Sequence, residues 1–150
     1  MAESVAEEAL AYLAGHQVMT LATNGAEGVW ATAVFYVNDG FDLLFLSAGH
    51  TRHAQNFLHQ PHIAAAIQED YQKWTEIKGI QLEGDVVQLQ GIAKVHTLAR
   101  YQKKYAFLAQ PDTRLSPSLA RVNWYRLRPT RLFFIDNSKG LGHRQEVQLF

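Results

Sequence analysis

The amino-acid sequence predicts a mainly β fold with a few helices, in which antiparallel strands form a barrel. Strand-like runs outnumber helical runs along the chain, and short loops join the first three of them into a meander. Strands and helices do not alternate regularly, as they would in a parallel sheet. A chain of 150 residues with 47% hydrophobic side chains is long enough for one full core and short for two. We therefore expect a single domain over residues 1–150.

An N-terminal helix and three strands come first. Residues 3–14 place Val5, Leu10 and Leu13 on one side of a helix, with glutamates near its positive end. The runs "HQVMTLATN", "GVWATAVFYVN" and "FDLLFLS" then have the composition of strands. Between them, "NGAEG" and "NDG" have the composition of turns. This order predicts three antiparallel strands.

A short helix and a long strand region follow. The pattern "TRHAQNFLHQ" is helical from Thr51 until Pro61 stops it. A strand is expected over residues 62–68, and a long strand region over residues 77–95. The alternation of apolar and polar side chains slips at Gly84, which predicts a bulge there.

The last third of the chain is predicted to contain one helix and more strands. Thr97 is expected to cap a helix that runs to about Leu108, and "AQPDTRLSPS" is expected to be a loop. Two separate strands, "RVNWYRL" and "TRLFFIDN", then precede "SKGLGHR" and a final "QEVQLF".

The composition excludes several classes of protein. The chain has no cysteine, which excludes disulfides, thiolate zinc sites, iron–sulfur clusters and a cysteine nucleophile. The N-terminus lacks the basic start of a secretion signal, and no stretch approaches the ~18 apolar residues of a membrane span. We expect a cytoplasmic protein without a membrane partner.

The charges are divided unevenly along the chain. Residues 1–90 contain 11 acidic and 3 basic side chains, and residues 91–150 contain 3 acidic and 11 basic ones, so the two parts have net charges of −8 and +8. The basic side chains are spread over several elements without a helix-turn-helix or RNA-binding signature. Packing of the two parts against each other, within or between subunits, is favoured, and no nucleic-acid partner is expected.

The stretch "SAGHTRHAQN" over residues 47–56 admits a metal site, a nucleophile or an anion site. The histidines at and after it do not share one helix face, and no carboxylate or H-E-x-x-H spacing accompanies them, so no metal site is predicted. Ser47 follows a strand, but Phe45 stands where a nucleophile elbow needs glycine. No nucleotide-binding glycine motif occurs elsewhere.

An anion site fits the same stretch better. A helix beginning near Thr51 presents unpaired backbone N–H groups, beside which Arg52 could bind a phosphate with two hydrogen bonds. His53 could add a donor whose charge depends on pH. The alternative is an ordinary helix cap with solvated side chains.

The strand "WATAVFY" before this stretch offers room for a planar group. Ala31, Ala33 and Phe35 share one face of it, and the small side chains would let a ring approach the backbone. Packing against a neighbouring helix would use the same small residues, so both readings stay open.

These stretches together resemble the pyridoxamine 5′-phosphate oxidase-like FMN-binding split-barrel family, in particular a small bacterial branch of it. The resemblance covers residues 16–146 and is carried by "WATAVFYVNDG", "LLFLSAGHTRHAQNFLHQPHIAAAI", "GIQLEGDVVQL" and "FIDNSKGLGHR". It implies a six-stranded antiparallel Greek-key split barrel that forms a homodimer, with FMN as cofactor at the interface. The positions that match FMN contacts of the family are Ala31, Thr32, Ala33, Val34, Phe35, Tyr36, Ser47, Thr51, Arg52, His53 and Gln81.

Two departures from the family limit what the resemblance implies. His53 stands where better-known members have lysine, and the Arg-x-His substrate signature of the true oxidases is missing near His143 and Arg144. The resemblance therefore implies an FMN-dependent oxidoreductase acting on an unknown small substrate, without pyridoxamine phosphate oxidation. No catalytic residue is predicted.

Two other functions remain open. A non-catalytic flavin-binding or regulatory module would have the same barrel and hold FMN weakly or not at all. A haem-binding or haem-degrading protein is the other, because some split-barrel relatives handle haem and this chain is rich in histidine. The axial ligand would then be one of His16, His50, His53, His59, His62, His96 and His143.

Overall fold

A computed structural model describes residues 3–106 and 121–149 of the chain. Its first helix begins after Ser4, whose hydroxyl oxygen accepts a hydrogen bond from the N–H of Glu7 at 3.2 Å. In this described part of the chain, no helix is both long and apolar enough to cross a membrane. The helices are α1 (Val5–Ala14), α2 (Arg52–His59) and α3 (Gly91–Lys104).

The strands of the described residues belong to one antiparallel sheet. They are β1 (Val18–Gly25), β2 (Gly28–Phe35), β3 (Val37–Asp39), β4 (Asp42–Ala48), β5 (His62–Gln68), β6 (Lys78–Gln88), β7 (Val122–Asp136) and β8 (Arg144–Glu146). Their order in the sheet is β2-β1-β5-β6-β7-β4-β3, and β8 pairs with β7. The count differs from the six expected by β3 and β8, which have three residues each.

The sheet curls into a partly closed barrel. The strands β2 and β4 lie near opposite ends of the strand order, yet they contact each other across the interior. The sheet edge of β2 nevertheless stays without a strand partner on one side among the described residues. This arrangement confirms the mainly β split-barrel fold that the sequence predicts.

Two apolar clusters stabilise the barrel. The larger one fills its interior and includes the fully buried side chains of Leu21, Phe45, Ile80 and Leu132. The smaller one lies outside the barrel beneath α3, where Leu44, Leu89 and Trp124 meet side chains of that helix, Tyr101 among them. Burial of apolar surface in both clusters is the main stabilising contribution.

The predicted bulge is confirmed at Gly84. The register between β6 and β7 shifts between Glu83 and Gly84. A Cβ atom on Gly84 would lie 2.3 Å from the carbonyl oxygen of Arg128, so only glycine fits this approach of the two backbones.

Three sequence predictions in the second half are corrected. The long strand region ends at Gln88 instead of residue 95, and α3 starts at Gly91, so Thr97 does not cap a helix. Thr97 lies on the buried face of α3, and the general preference of threonine for helix starts cannot reveal that packing. The two separate strands are the single strand β7. The helix α3 ends at Lys104 instead of at about Leu108, and the predicted loop "AQPDTRLSPS" lies outside the described residues.

The register of the strands defines an outer face of the sheet, which points away from the barrel interior. Residues that are paired across neighbouring strands lie on the same face. The central part of this outer face consists of small side chains from β2, β1 and β5, namely Ala31, Ala33, Thr20, Ala22, Ala64 and Ala66.

Candidate functional site

The first turn of α2 is held by Thr51. The Thr51 hydroxyl oxygen accepts a hydrogen bond from the N–H of Ala54 at 3.3 Å and donates one to the carbonyl oxygen of Ala48 at 2.9 Å. The carbonyl oxygen of Thr51 accepts from the N–H of Gln55. These bonds leave the backbone N–H groups of Arg52 and His53 as the remaining donors of the first turn. The Thr51 hydroxyl hydrogen is already engaged within the turn.

The side chain of His53 points into the protein. It is 7% exposed, and its Nε2 atom lies 2.5 Å from the hydroxyl oxygen of Ser47 and 3.2 Å from that of Thr51. Burial lowers the pKa of His53 below its usual value, which favours the neutral ring. Ser47 and the His53 ring therefore form a buried hydrogen-bonded pair beneath the start of α2.

The Arg52 side chain points to the surface. Its Cζ atom lies 4.2 Å from the centroid of the Trp30 ring, a cation–π contact. Its Nη2 atom donates to the carbonyl oxygen of Glu27 at 3.2 Å. The Nε atom is buried and has no hydrogen-bond partner among the described residues, although a carboxylate oxygen of Glu27 lies 3.8 Å away.

The packing of α2 on β1 explains why Trp30 and Arg52 meet. The Asn56 side-chain amide donates to the hydroxyl of Thr23 at 3.0 Å on the inner face of β1. Trp30 is paired with Thr23 and lies on the same face. A Cβ atom on Gly25 would lie 1.9 Å from the Asn56 side chain, so glycine permits this close approach of helix and strand.

The residues of β2 alternate between the two faces of the sheet. Ala31, Ala33 and Phe35 lie on the outer face with Val18 and Ala22 of β1. Thr32 and Val34 lie on the inner face and are partly buried. Tyr36, which follows the strand, is fully buried, and its hydroxyl donates to the carbonyl oxygen of Leu13 at 2.7 Å.

Gln81 lies on the same outer face, three strands away from β2. It is exposed, and it is paired with Ala66 of β5 and with Phe133 of β7. Three strand spacings correspond to about 14 Å, so a ligand that contacts both β2 and Gln81 must extend across the alanines of the outer face.

A shallow groove of about 650 Å³ occupies part of this outer face. Ala22, Ala31 and Ala64 contribute to its floor, and Trp30 and His62 border it. The Nδ1 atom of His62 lies 2.9 Å from a carboxylate oxygen of Asp85, and its Nε2 atom lies 3.8 Å from one of Glu83. No group of three or more histidine and carboxylate side chains within residues 3–106 and 121–149 could hold a metal ion.

The structure therefore brings together some of the predicted site residues and separates others. Ser47, Thr51, Arg52 and His53 form one cluster at the start of α2, and the alanines of β2 share the outer face with Gln81. Sequence reasoning missed Glu27, Trp30 and the pair of His62 with Asp85. The turn "AEG" before β2 gave no signal for Glu27, because its contact with Arg52 joins distant parts of the sequence.

Comparison with known proteins places the chain among similar sequences and folds. The sequence profile of the pyridoxamine 5′-phosphate oxidase family matches residues 5–136. A UPF0306 protein from Photorhabdus laumondii is 28% identical over 135 residues, which cover 89% of this chain and 88% of that protein.

Solved structures with a similar fold include proteins with different ligands. A heme binding protein from Mycobacterium smegmatis matches with a TM-score of 0.81 and 22% identity, over 99% of this chain and 60% of that one. A FAD-binding protein from Mesorhizobium loti matches with a TM-score of 0.66 and 13% identity, over 97% of this chain and 96% of that one. The chain thus spans about three fifths of the mycobacterial protein. At these identities the likeness concerns the fold alone.

Proposed function

The chain belongs to the pyridoxamine 5′-phosphate oxidase family, and from this membership we propose that it binds FMN by its phosphate at the start of α2. One observation carries the proposal: the Nε atom of Arg52 is buried without a hydrogen-bond partner among the described residues, beside a helix start. An unpaired buried donor is costly, and a phosphate oxygen would satisfy it. The residues present therefore fit an anionic group.

The phosphate contacts are proposed to come from Arg52 and from the first turn of α2. The guanidinium supplies charge-assisted hydrogen bonds, and the N–H groups of Arg52 and His53 supply two further donors. Ser47 and Thr51 hold the turn in place through the contacts described above. We propose that His53 contributes through its backbone, because its side chain is buried and neutral.

The flavin ring is proposed to lie along β2. Ala31 and Ala33 leave room on the outer face, and their backbone N–H and C=O groups point away from β1 towards the unpaired sheet edge of β2. Gln81 is proposed as a further contact across the alanines. Bound flavin would supply electron transfer, and the protein would position it and adjust its potential.

The proposed reaction class is flavin-dependent oxidation or reduction of a small molecule. We do not propose pyridoxamine phosphate oxidation, because the C-terminal segment lacks the Arg-x-His spacing. The Arg144 guanidinium lies 4.6 Å from the Phe133 ring, where it is held against the sheet. The absence of cysteine fits a reducing compartment, so a cytoplasmic location is proposed.

A homodimer is proposed, with the outer face of the sheet in its interface. Val29 is 79% exposed on the edge strand, and Val18 and Phe35 are also exposed on this face. Such an apolar surface on an edge strand favours association with another protein surface. We expect Val29→Glu to shift the protein towards monomer in analytical ultracentrifugation. The control Leu141→Glu, at an equally exposed position outside this face, should leave the mass unchanged.

An absorption spectrum and a flavin titration test the proposed cofactor. Freshly purified protein is expected to absorb between about 350 and 500 nm, or to quench the fluorescence of added FMN. A bound flavin that NADPH or NADH reduces would support an oxidoreductase. A flavin that stays oxidised with both donors would favour the non-catalytic module. Protein that neither contains nor binds FMN would contradict the proposal.

Haem binding is the second candidate, and His62 is the observation that favours it. Its Nδ1 atom is hydrogen-bonded to Asp85, an arrangement that leaves Nε2 as the ligand atom for an iron. The side chain is 53% exposed and borders a groove with an apolar floor. Haem addition should then produce a Soret shift that His62→Ala removes and that His59→Ala retains. No shift in the wild-type protein would exclude this candidate.

A further inference from the structure

Two residues of the β1–β2 hairpin, Trp30 and Glu27, contact Arg52 on different sides. On one side the guanidinium lies over the Trp30 ring, with 4.2 Å between Cζ and the ring centroid. Trp30 is 45% exposed, so the residue that carries this contact lies at the surface. A planar guanidinium stacked on a ring loses less freedom when it binds a ligand, because its orientation is already fixed.

On the other side Glu27 occupies polar groups of the same guanidinium. Its carbonyl oxygen accepts a hydrogen bond from Nη2 of Arg52 at 3.2 Å, and its carboxylate lies 3.8 Å from Nε. The Glu27 side chain is 79% exposed, and the Arg52 side chain is 32% exposed. An ion pair of this length at the surface is weak, so a more highly charged anion can replace it.

Trp30 and Glu27 act on different parts of Arg52. The Trp30 ring lies against the guanidinium, 4.2 Å from Cζ. The carboxylate faces Nε, the atom that a phosphate would need. One residue therefore favours the binding geometry, and the other competes with the ligand.

We propose that the β1–β2 hairpin tunes phosphate binding, with Trp30 as the positioning residue for Arg52 and the Glu27 carboxylate as an internal competitor for it. This inference rests on the proposed binding of FMN by its phosphate. It adds that selection of a phosphate-bearing flavin depends on residues outside the helix start. A phosphate displaces the carboxylate of Glu27 and leaves the contact with Trp30 intact.

The test compares FMN with riboflavin, which has the same ring and no phosphate. The ratio of the two dissociation constants isolates the phosphate contact from the ring contacts. It is measured for wild type, Trp30→Ala, Trp30→Phe and Glu27→Gln by quenching of flavin fluorescence. Trp74→Ala and Glu76→Gln are matched controls, since both residues are exposed and lie in the short turn before β6, outside the β1–β2 hairpin.

Substitution of Trp30 and substitution of Glu27 should change FMN affinity in opposite directions. Trp30→Ala should weaken FMN binding about three- to tenfold and leave riboflavin binding unchanged, the range of a cation–π contact. Trp30→Phe should restore most of the loss, because phenylalanine retains a ring. Glu27→Gln should tighten FMN binding about two- to fivefold, the range of an exposed ion pair. The two controls should leave the ratio unchanged.

Other outcomes would contradict either the roles of Trp30 and Glu27 or the proposed binding of FMN by its phosphate. If Trp30→Ala changes both affinities equally, or neither, Trp30 does not position the phosphate-binding group. If Glu27→Gln weakens FMN binding, Glu27 is not a competitor. If wild-type protein binds FMN and riboflavin equally or binds neither, the proposed phosphate site itself is contradicted. A thermal unfolding curve for each variant identifies any loss of folded protein.

Discussion

The cationic side chains of Lys104 and Arg52 both lie over aromatic rings, and their surroundings differ. Lys104 has its Nζ atom 4.4 Å from the centroid of the Tyr36 ring, and it donates to the carbonyl oxygen of His16 at 2.5 Å. Arg52 lies at a similar distance from Trp30, but its Nε atom has no hydrogen-bond partner within the described ranges. Lys104 thus has its aromatic and hydrogen-bond contacts within the fold, whereas Arg52 retains one buried donor atom without a partner among the described residues.

The residue after Lys104 adds further hydrogen bonds to the same region. Tyr105, the next residue, donates from its hydroxyl to the carbonyl oxygens of Gln17 and Tyr36. These bonds join the end of α3 to the start of β1 and to the residue after β2. The same kind of cation–aromatic contact therefore lies within a hydrogen-bonded part of the fold at Lys104, and at Arg52 we propose that it positions the guanidinium for a ligand.

The largest effect on stability is expected for Tyr105→Ala, which removes the hydroxyl that joins the end of α3 to Gln17 and Tyr36. Loss of a buried aromatic side chain that also satisfies two backbone carbonyls should lower the free energy of unfolding by about 3–5 kcal/mol. Denaturant unfolding measures this change. Trp74→Ala, at an exposed ring, should stay within about 0.5 kcal/mol of wild type. A loss below about 1 kcal/mol for Tyr105→Ala would contradict the burial and the hydrogen bonds of Tyr105 described above.

A smaller effect, on binding instead of stability, is expected for Arg52→Ala. Removal of a charge-assisted hydrogen bond should weaken FMN binding by about 1.5–3 kcal/mol, with little change in unfolding. Fluorescence titration measures the affinity, and Arg128→Ala is the control, because Arg128 pairs with Asp42 away from α2. Unchanged affinity would remove Arg52 from the proposed site.

The pH dependence of stability should distinguish Lys104 from an ordinary surface lysine. Burial lowers the pKa of Lys104 to about 8 from the usual 10.5. Between these values the unfolded chain binds more protons, so raising the pH stabilises the folded state. Wild type should therefore gain stability relative to Lys104→Met as the pH rises from 8 towards 10. An unchanged difference would contradict the burial of a charged amine.

The smallest effect is expected for His53→Gln. Burial lowers the pKa of His53, so the unfolded chain takes up a proton first as the pH falls below about 6.5. Wild type should lose stability relative to the glutamine variant in that acid range. FMN affinity at pH 7 should change little, since the ring points inward. A large loss of affinity would instead give the His53 side chain a direct contact with the ligand.

The strands and the helix start at Thr51 could be predicted from the sequence, because local signals define them. Alternation of apolar side chains locates β1, β2 and β5, and the slip at Gly84 marks the bulge. The start of α3 was predicted at Thr97, six residues late, because Gly91 begins this helix with a φ of +59° and without a capping side chain.

The candidate site was only partly predictable. Thr51 and Arg52 follow from their place at a helix start, but the inward direction of His53 depends on Ser47 of a neighbouring strand. The contacts of Arg52 with Trp30 and Glu27 arise from the packing of α2 on the β1–β2 hairpin. Contacts between residues distant in sequence carry no local signal, so these two residues could not be found without the structure.

The most direct test of the phosphate site is the preference of wild-type protein for FMN over riboflavin, compared with that of Arg52→Ala. Both dissociation constants are measured for both proteins in one buffer at pH 7. We expect wild type to bind FMN at least about tenfold more tightly than riboflavin, and the variant to lose most of that preference. Equal affinity of wild-type protein for the two flavins, or a preference that persists in Arg52→Ala, would contradict a phosphate site at the start of α2.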